Sequence, residues 1–255
     1  MTSDTLATAE TVLGHPLARE LRIKALGGIG CWLHVRDHGP DAAPFRRDYG
    51  DVDLVVPKAG GKRVAEVMRA AELTPVESFN ANSGANRRMF VSADSSVQVD
   101  VFIGAFVMCH EVPLAATAFA PEDHPALGVT ELLLTKLQVV QLSDKDANDA
   151  SSLLAFHEVG AGAEQIDGER IADLLAADWG LWRTVTANLH TLADRARQHA
   201  AAARGDVVVA RVGQLRCEID QAKKSLKWRT RAKVGDRVQW YAEPEEPEKE
   251  WIAVR

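Results

Sequence analysis

The feature that most constrains the fold of this chain is a change in hydrophobic periodicity near residue 125. Before that point, three short apolar segments have the character of β-strands: 51–57, 87–92 and 96–104. After it, apolar residues recur at the spacing of amphipathic helices in four segments: 130–142, 146–158, 167–177 and 180–199. The pattern predicts an α/β (α+β) protein, in which a small mixed sheet precedes an all-helical domain.

The same change gives the predicted domain boundaries. We expect a sheet-containing domain over 1–120, a helical domain with a basic C-terminal segment over 121–240, and a charged tail over 241–255.

Local signals add detail to both domains. Residues 5–22 predict a helix that kinks or breaks at Pro16, and residues 61–73 predict an amphipathic helix. In the helical domain, Thr130 and Asp167 are predicted to be N-cap residues.

The composition is that of an ordinary globular chain of 255 residues, with 46% hydrophobic and 26% charged residues. No apolar run reaches the roughly 18 residues that a membrane helix requires, and the N-terminus lacks the basic start of a signal peptide. We therefore expect a cytoplasmic protein with no membrane partner. Cys31, Cys109 and Cys217 show no metal-binding or disulfide spacing, and we assign them no role.

Three aspartates occur in the predicted strands. Asp51 and Asp53 are two residues apart, so both side chains point to one face of the strand, about 7 Å apart along it. Asp100 lies in the strand VQVDVFIG, where Gln98 and Asp100 face the side opposite to the valines. Three carboxylates from neighbouring strands can converge on divalent cations, although a DxD pair taken alone is more typical of a solvated strand edge or a turn.

A glycine pair upstream strengthens the case for a site. Gly27 and Gly28 lie where the backbone can approach a ligand closely, before an apolar segment. A helix that begins at such a turn offers free amide groups to a phosphate. Phosphoryl transfer needs both parts, because carboxylate-bound Mg²⁺ neutralises the triphosphate and aligns the reacting oxygens in a two-metal site.

Together these motifs resemble a known superfamily. The segments LGGIGCWLHV, RDYGDVDLVV and VQVDVFIG resemble the glycine, DxD and third-aspartate signature of the DNA-polymerase-β-like nucleotidyltransferases. The segment LLLTKLQVVQLSDKDANDASSLL is similar to the lysine and charged motifs of the AbiEii/MenT toxin-like branch, and the likeness covers about residues 20–160. The resemblance implies a small mixed-sheet nucleotidyltransferase domain that transfers a nucleoside monophosphate from an NTP to a hydroxyl.

The resemblance also implies roles for individual residues. Asp51, Asp53 and Asp100 match the catalytic and metal-binding acids, with Asp100 as the base for the attacking hydroxyl. Gly27 and Gly28 match the turn that approaches the phosphates of the nucleotide. Mg²⁺ and an NTP are the expected cofactor and co-substrate.

Further nucleotide-binding positions follow from the same match. Arg47 matches an arginine just before the DxD pair, Lys136 matches a lysine for the triphosphate, and a later charged segment is matched by Lys145, Asp146 and Asp149. On the residues alone, Lys136 reads equally well as a lysine at the edge of an apolar helix face. The charged segment also fits a helix start, where acids are favoured.

Arg87 and Arg88 precede a strand beside the proposed site. We expect one of them, Arg88 in our assignment, to bind phosphate, while an exposed hairpin arginine remains the alternative.

The acceptor is the least constrained part of the prediction. The net charge of the chain is −6, but the segment 211–237 is rich in lysine and arginine and could bind RNA. The toxin-like resemblance suggests a tRNA 3′ end as the acceptor and an antitoxin as a partner. A basic helix paired with the acidic tail explains the segment equally well. The motifs also fit transfer to a small acceptor such as an aminoglycoside, or a non-catalytic relative that binds a nucleotide or a partner.

Overall fold

The computed structural model describes residues 2–119, 124–198 and 204–243. Within these ranges the chain is a mixed α/β structure, with a five-stranded sheet, a two-stranded sheet and a helical C-terminal region. The predicted boundary at residue 120 and nearly all of the predicted tail, from residue 244 onward, lie outside the described residues.

The five-stranded sheet has the order β1-β2-β5-β4-β3. The strands β2 and β5 are parallel, whereas the other neighbouring pairs are antiparallel. The three strands predicted from the sequence are confirmed as β2, β4 and β5, and the last two form the expected hairpin. The bounds of all described strands are β1 Lys24–Ala25, β2 Asp51–Val56, β3 Thr74–Pro75, β4 Arg87–Val91, β5 Gln98–Ile103, β6 Ala105–Val107 and β7 Glu111–Pro113.

The helices of the first half break where proline and glycine occur. Pro16 separates α1 from α2, as predicted, and occupies the first turn of α2, where its missing N–H costs nothing. The helix predicted over 61–73 is shorter than expected, since the segment Lys58–Arg63, with two glycines, forms a 3₁₀ helix before α4. These helices are α1 Thr2–Gly14, α2 Pro16–Glu20, α3 Gly27–Val35, α4 Val64–Ala70 and α5 Glu77–Ser83.

Helices dominate the described residues of the second half, and one of the two predicted caps is confirmed. Asp167 caps α8, because its Oδ1 accepts a hydrogen bond of 2.9 Å from the Arg170 amide. The prediction for Thr130 is wrong: α6 begins at Val129, two residues earlier than expected, and its N-cap is Gly128. The helices are α6 Val129–Leu137, α7 Asp144–Phe156, α8 Gly168–Ala177, α9 Trp179–Gln198, α10 Gly205–Gln221 and α11 Leu226–Val234.

The apolar core lies on both faces of the five-stranded sheet. Leu54 and its alternate neighbours on β2 pack against α1, α2 and α4. Val55 and Phe102 point to the opposite face and join the core of α6 to α10. The helix α3 contributes to both clusters, with Ile29 in the first and Cys31 in the second. The sheet and the helices after residue 124 therefore share one continuous core.

No helix within the described ranges is both long and apolar enough to cross a membrane.

Candidate active site

The three predicted aspartates lie on one face of the sheet. In the parallel pair β2 and β5, Asp53 is the register partner of Asp100, and Asp51 is the partner of Gln98. Alternation along each strand places these four side chains on the same face. We call Asp51, Asp53 and Asp100 the carboxylate cluster.

Asp100 is buried and held by two side chains. It is 1% exposed, and its Oδ1 accepts a hydrogen bond of 2.9 Å from Nε of Arg87. Its Oδ2 accepts a second bond of 2.7 Å from Nε2 of Gln98. A buried carboxylate is stable only when paired and hydrogen-bonded, and these contacts fix its orientation.

Asp53 is half-buried and carries an unfavourable charge. Burial, followed by the negative charges of Asp51 and Asp100, raises the pKa of Asp53 to about 7, although Lys136 and Arg87 act in the opposite direction. Within the described part of the chain, the carboxylates of Asp51 and Asp53 have no hydrogen bond or ion pair with another side chain. The cluster therefore holds more negative charge than its protein neighbours neutralise.

Gly27, the first glycine of the pair, packs directly against the carboxylate of Asp53. Gly27 has φ +59°, and a Cβ there would lie 2.1 Å from Oδ2 of Asp53. The Leu26 amide donates a 2.8 Å hydrogen bond to the Asp53 carbonyl oxygen, so the start of α3 is fixed against β2. The free amides of the first turn of α3 thus lie next to the carboxylate cluster, where a bound phosphate would be favoured.

The second glycine makes room for an arginine. A Cβ on Gly28 would lie 2.1 Å from Nη2 of Arg47. The guanidinium of Arg47 lies over the ring of Tyr49, 4.9 Å from its centroid. Its Nε and Nη2 donate hydrogen bonds of 2.9 and 2.7 Å to the two carboxylate oxygens of Asp149. This is the bidentate geometry that arginine forms with a carboxylate.

Lys136 completes an ion-pair network, which we define as Arg47, Lys136, Asp146 and Asp149. The ammonium nitrogen of Lys136 lies 2.9 Å from Oδ2 of Asp149 and 3.1 Å from Oδ1 of Asp146. Burial alone would lower the pKa of Lys136, but the two carboxylates raise it above its usual range. The pKa of Asp149 is lowered, because Arg47 and Lys136 outweigh the effect of its burial. The network is electrically balanced.

The structure brings together most, but not all, of the residues predicted for the site. Arg87, Met89 and Asp100 share a face, which places the side chain of Arg88 on the opposite face of the sheet. There Nε of Arg88 donates to the Gly84 carbonyl oxygen at 3.1 Å. Arg87 is therefore the arginine next to the acids. Sequence analysis did not single out Tyr49, although its position two residues before Asp51 was a usable signal.

The carboxylate cluster fits a magnesium ion in part. No group of three or more histidine, cysteine or acidic side chains in the described ranges is arranged to hold a metal. Each oxygen of Asp100 already accepts one hydrogen bond, from Arg87 or from Gln98, so Asp51 and Asp53, which accept none from another described side chain, offer more free lone pairs to a cation. Two carboxylates suffice for Mg²⁺ when substrate phosphates supply further oxygens, and the excess negative charge at Asp53 favours a cation.

The basic segment 211–237 forms much of α10, α11 and the turn after it. Arg211 is used internally, since its Nη1 donates a 2.7 Å hydrogen bond to the Leu154 carbonyl oxygen. On and beside α11, exposed cationic side chains that form no ion pair with another described residue include Lys223, Lys227, Arg229 and Lys233.

Comparisons of this chain with protein-family models, with curated proteins and with solved structures found no match. Function is therefore inferred from the geometry of the carboxylate cluster, the glycine pair and the ion-pair network.

Proposed function

We propose that this protein is a Mg²⁺-dependent nucleotidyltransferase that transfers a nucleoside monophosphate from an NTP to a hydroxyl group. The observation that carries the proposal is the pairing of Asp53 with Asp100 on adjacent strands, with the glycine turn of α3 packed directly against Asp53. A carboxylate site and an amide-rich helix start in contact are the two parts that phosphoryl transfer requires.

Each group then has a part in the reaction. Asp51 and Asp53 would hold Mg²⁺, which supplies charge neutralisation for the triphosphate. The turn at Gly27 lets the α3 amides approach the phosphates. Asp100, oriented by Arg87, accepts the proton of the attacking hydroxyl.

The ion-pair network would support nucleotide binding from the other side of the glycine pair. Arg47 and Lys136 bring positive charge to the start of α3, and Asp146 and Asp149 hold these two cations in place. Gly27 lies against Asp53 and Gly28 against Arg47, and the positive charge of Lys136 counteracts the raised pKa of Asp53, which supports treating the network and the carboxylate cluster as parts of one site.

The test of this proposal is transfer activity in matched variants. Purified protein is incubated with Mg²⁺, each labelled NTP in turn, and either total tRNA or an aminoglycoside panel. Asp51→Ala and Asp53→Ala should each abolish transfer without loss of the fold, because both residues lie at a polar edge and not in the apolar core. Asp41→Ala is the control, since Asp41 is exposed on the 3₁₀ segment Arg36–Phe45.

Turnover near the wild-type rate in either cluster variant would exclude the metal assignment. Nucleotide binding without transfer to any acceptor would instead indicate a non-catalytic relative.

We propose RNA, such as a tRNA 3′ end, as the acceptor, with an antitoxin as the partner that the toxin-like resemblance implies. Support comes from the exposed cations on and beside α11 that form no ion pair with another described residue, since lysines and arginines that neutralise RNA phosphates release counterions. Changing Lys223, Lys227, Arg229 and Lys233 to Gln should weaken RNA binding and flatten its salt dependence, by roughly 0.7 in the log–log slope per lost phosphate contact.

A control variant separates this effect from net charge. It changes four exposed cations in the N-terminal half to Gln: Arg19, Lys58, Lys62 and Arg69. RNA binding is measured for both variants at two salt concentrations. Identical behaviour of the two would remove the case for RNA contacts at α11.

A further inference from the structure

A cleft of about 350 Å³ is lined by Arg87, which is ion-paired with Asp100 of the carboxylate cluster. Two of its lining residues, Arg87 and Phe102, are register partners on β4 and β5 and share a face with Asp100. The remaining walls come from the end of α5, from β6 and from the C-terminal segment. The residues on which the argument depends are Asn82, Asn86, Arg87, Phe102, Ala105 and Glu243.

The position of the cleft assigns it to one of the two substrates. Along the face of the sheet, Asp53 on β2 adjoins the glycine turn, Asp100 lies on the next strand, and Arg87 lies on the strand after that. The phosphates of a donor NTP belong on the Gly27 side. The cleft lies on the other side of Asp100, where the attacking hydroxyl must be.

The lining of the cleft indicates what it binds. Asn82 and Asn86 each carry a carboxamide, which presents both a donor and an acceptor to a planar ligand edge. Phe102 and Ala105 contribute apolar wall. Among the described lining residues, one cationic side chain, Arg87, and one acidic side chain, Glu243, carry opposite charges. Such a lining suits an uncharged, flat, polar ring better than a polycation.

The size of the cleft agrees with this. Small-molecule sites begin at about 300 Å³, so a single nucleoside fits and a folded helix does not. Unpaired RNA bases are recognised in this way, by packing on side chains and by hydrogen bonds to their edges.

We propose that this cleft is the acceptor subsite, which binds the terminal nucleoside of an RNA strand so that its ribose hydroxyl lies at Asp100. The proposal rests on the proposed function for the direction of transfer. Its binding step can be tested without turnover.

The test fills the cleft and measures binding. Ala105 is half-buried on β6, and Ala105→Phe would occupy the space of the ring. Ala196→Phe is the matched control, because Ala196 lines a separate cleft between α7 and α9. The probes are the four ribonucleosides and, separately, a non-hydrolysable ATP analogue with Mg²⁺. Ala105→Phe should weaken binding of the preferred nucleoside at least about tenfold and leave the ATP analogue unchanged.

A second variant tests the cleft independently, so that the proposal can still be checked if Ala105→Phe does not fold. Asn82 and Asn86 are exposed, so the double change to Ala should preserve the fold and weaken nucleoside binding about tenfold, with a changed preference among bases.

Three outcomes would overturn the proposal. Nucleoside binding unaffected by both variants would place the acceptor elsewhere. Loss of ATP-analogue binding in Ala105→Phe would make the cleft a pocket for the donor base. Binding of kanamycin, used as a further probe, that is weakened by Ala105→Phe, together with no binding of any nucleoside, would change the acceptor class. Nucleoside binding in the cleft without any transfer activity would leave the subsite intact and remove the proposed function instead.

Discussion

The two charged groups on either side of the glycine pair are built on opposite principles. The ion-pair network balances two cations against two carboxylates, with every charge in contact with a partner. The carboxylate cluster brings three acids together with one arginine, and the pKa of Asp53 rises to about 7 as a result. A protein tolerates excess negative charge where a ligand can neutralise it, so this difference favours the carboxylate cluster as the ligand-binding part of the proposed site and the ion-pair network as its support.

The largest expected effect tests the assignment of Asp100. Asp100→Asn keeps the shape of the side chain and its contact with Arg87 but removes the basic oxygen. We expect turnover to fall by roughly 10²- to 10⁴-fold, the range typical of a lost general base, with NTP affinity largely kept. Steady-state kinetics and equilibrium NTP binding measure the two effects. Equal losses of both would indicate a metal-anchoring role instead.

The next largest expected effect is on stability and tests the ion-pair network. Asp149 is 3% exposed and contacts both Arg47 and Lys136, so Asp149→Ala leaves two cations without their main partner. We expect a loss of about 3–5 kcal/mol in the free energy of unfolding, whereas Asp53→Ala should cost little, because it removes a destabilised charge. Denaturant unfolding measures this. The exposed pair of Asp194 and Arg197 is the control, and Asp194→Ala should cost at most about 1 kcal/mol.

The contribution of Asp149 to stability should depend on pH in a defined direction. Since folding lowers the pKa of Asp149, its ionised form stabilises the native state above its unfolded pKa of 3.8, and that contribution is lost as pH falls further toward the folded pKa. The stability difference between wild type and Asp149→Asn should therefore shrink below about pH 3.8. A difference that is constant with pH would mean that packing, and not charge, holds the network together.

The sequence predicted the carboxylate cluster better than the network. Two-residue alternation alone puts Asp51 and Asp53 on one face, and the strand VQVDVFIG puts Asp100 on the matching face of its neighbour. The network depends on how α6 and α7 pack. Lys136 was expected at the edge of an apolar helix face, but α6 is buried on all sides, and Lys136 is accommodated only through Asp146 and Asp149.

The sequence also could not predict which of Arg87 and Arg88 lies next to the acids. A shift of one residue in strand register exchanges the two faces of a strand, so nothing local distinguished Arg87 from Arg88. The pairing of Met89 with Asp100 in the sheet places Arg87, and not Arg88, on the face of the carboxylate cluster.

The smallest expected effect concerns Gly27, which lies with Gly28 between the carboxylate cluster and the ion-pair network. Gly27→Ala places a Cβ at positive φ and against Oδ2 of Asp53, whereas Gly28→Ala places one against the Arg47 guanidinium and 3.1 Å from Cδ1 of Tyr49. We expect Gly27→Ala to cost about 1–2 kcal/mol from the backbone alone, whereas the cost of Gly28→Ala comes from displacement of the Arg47 guanidinium from its bidentate pair with Asp149.

Gly39 provides the control for this comparison. It has the same φ of +59°, and nothing lies within 4 Å of its Cβ position, so Gly39→Ala measures backbone strain without the contact. Any further loss of stability in Gly27→Ala, and any rise in the KM for NTP, then comes from displacement of Asp53. If Gly27→Ala and Gly39→Ala lose the same stability and both keep the wild-type KM, the close approach of α3 to the carboxylate cluster has no part in nucleotide binding.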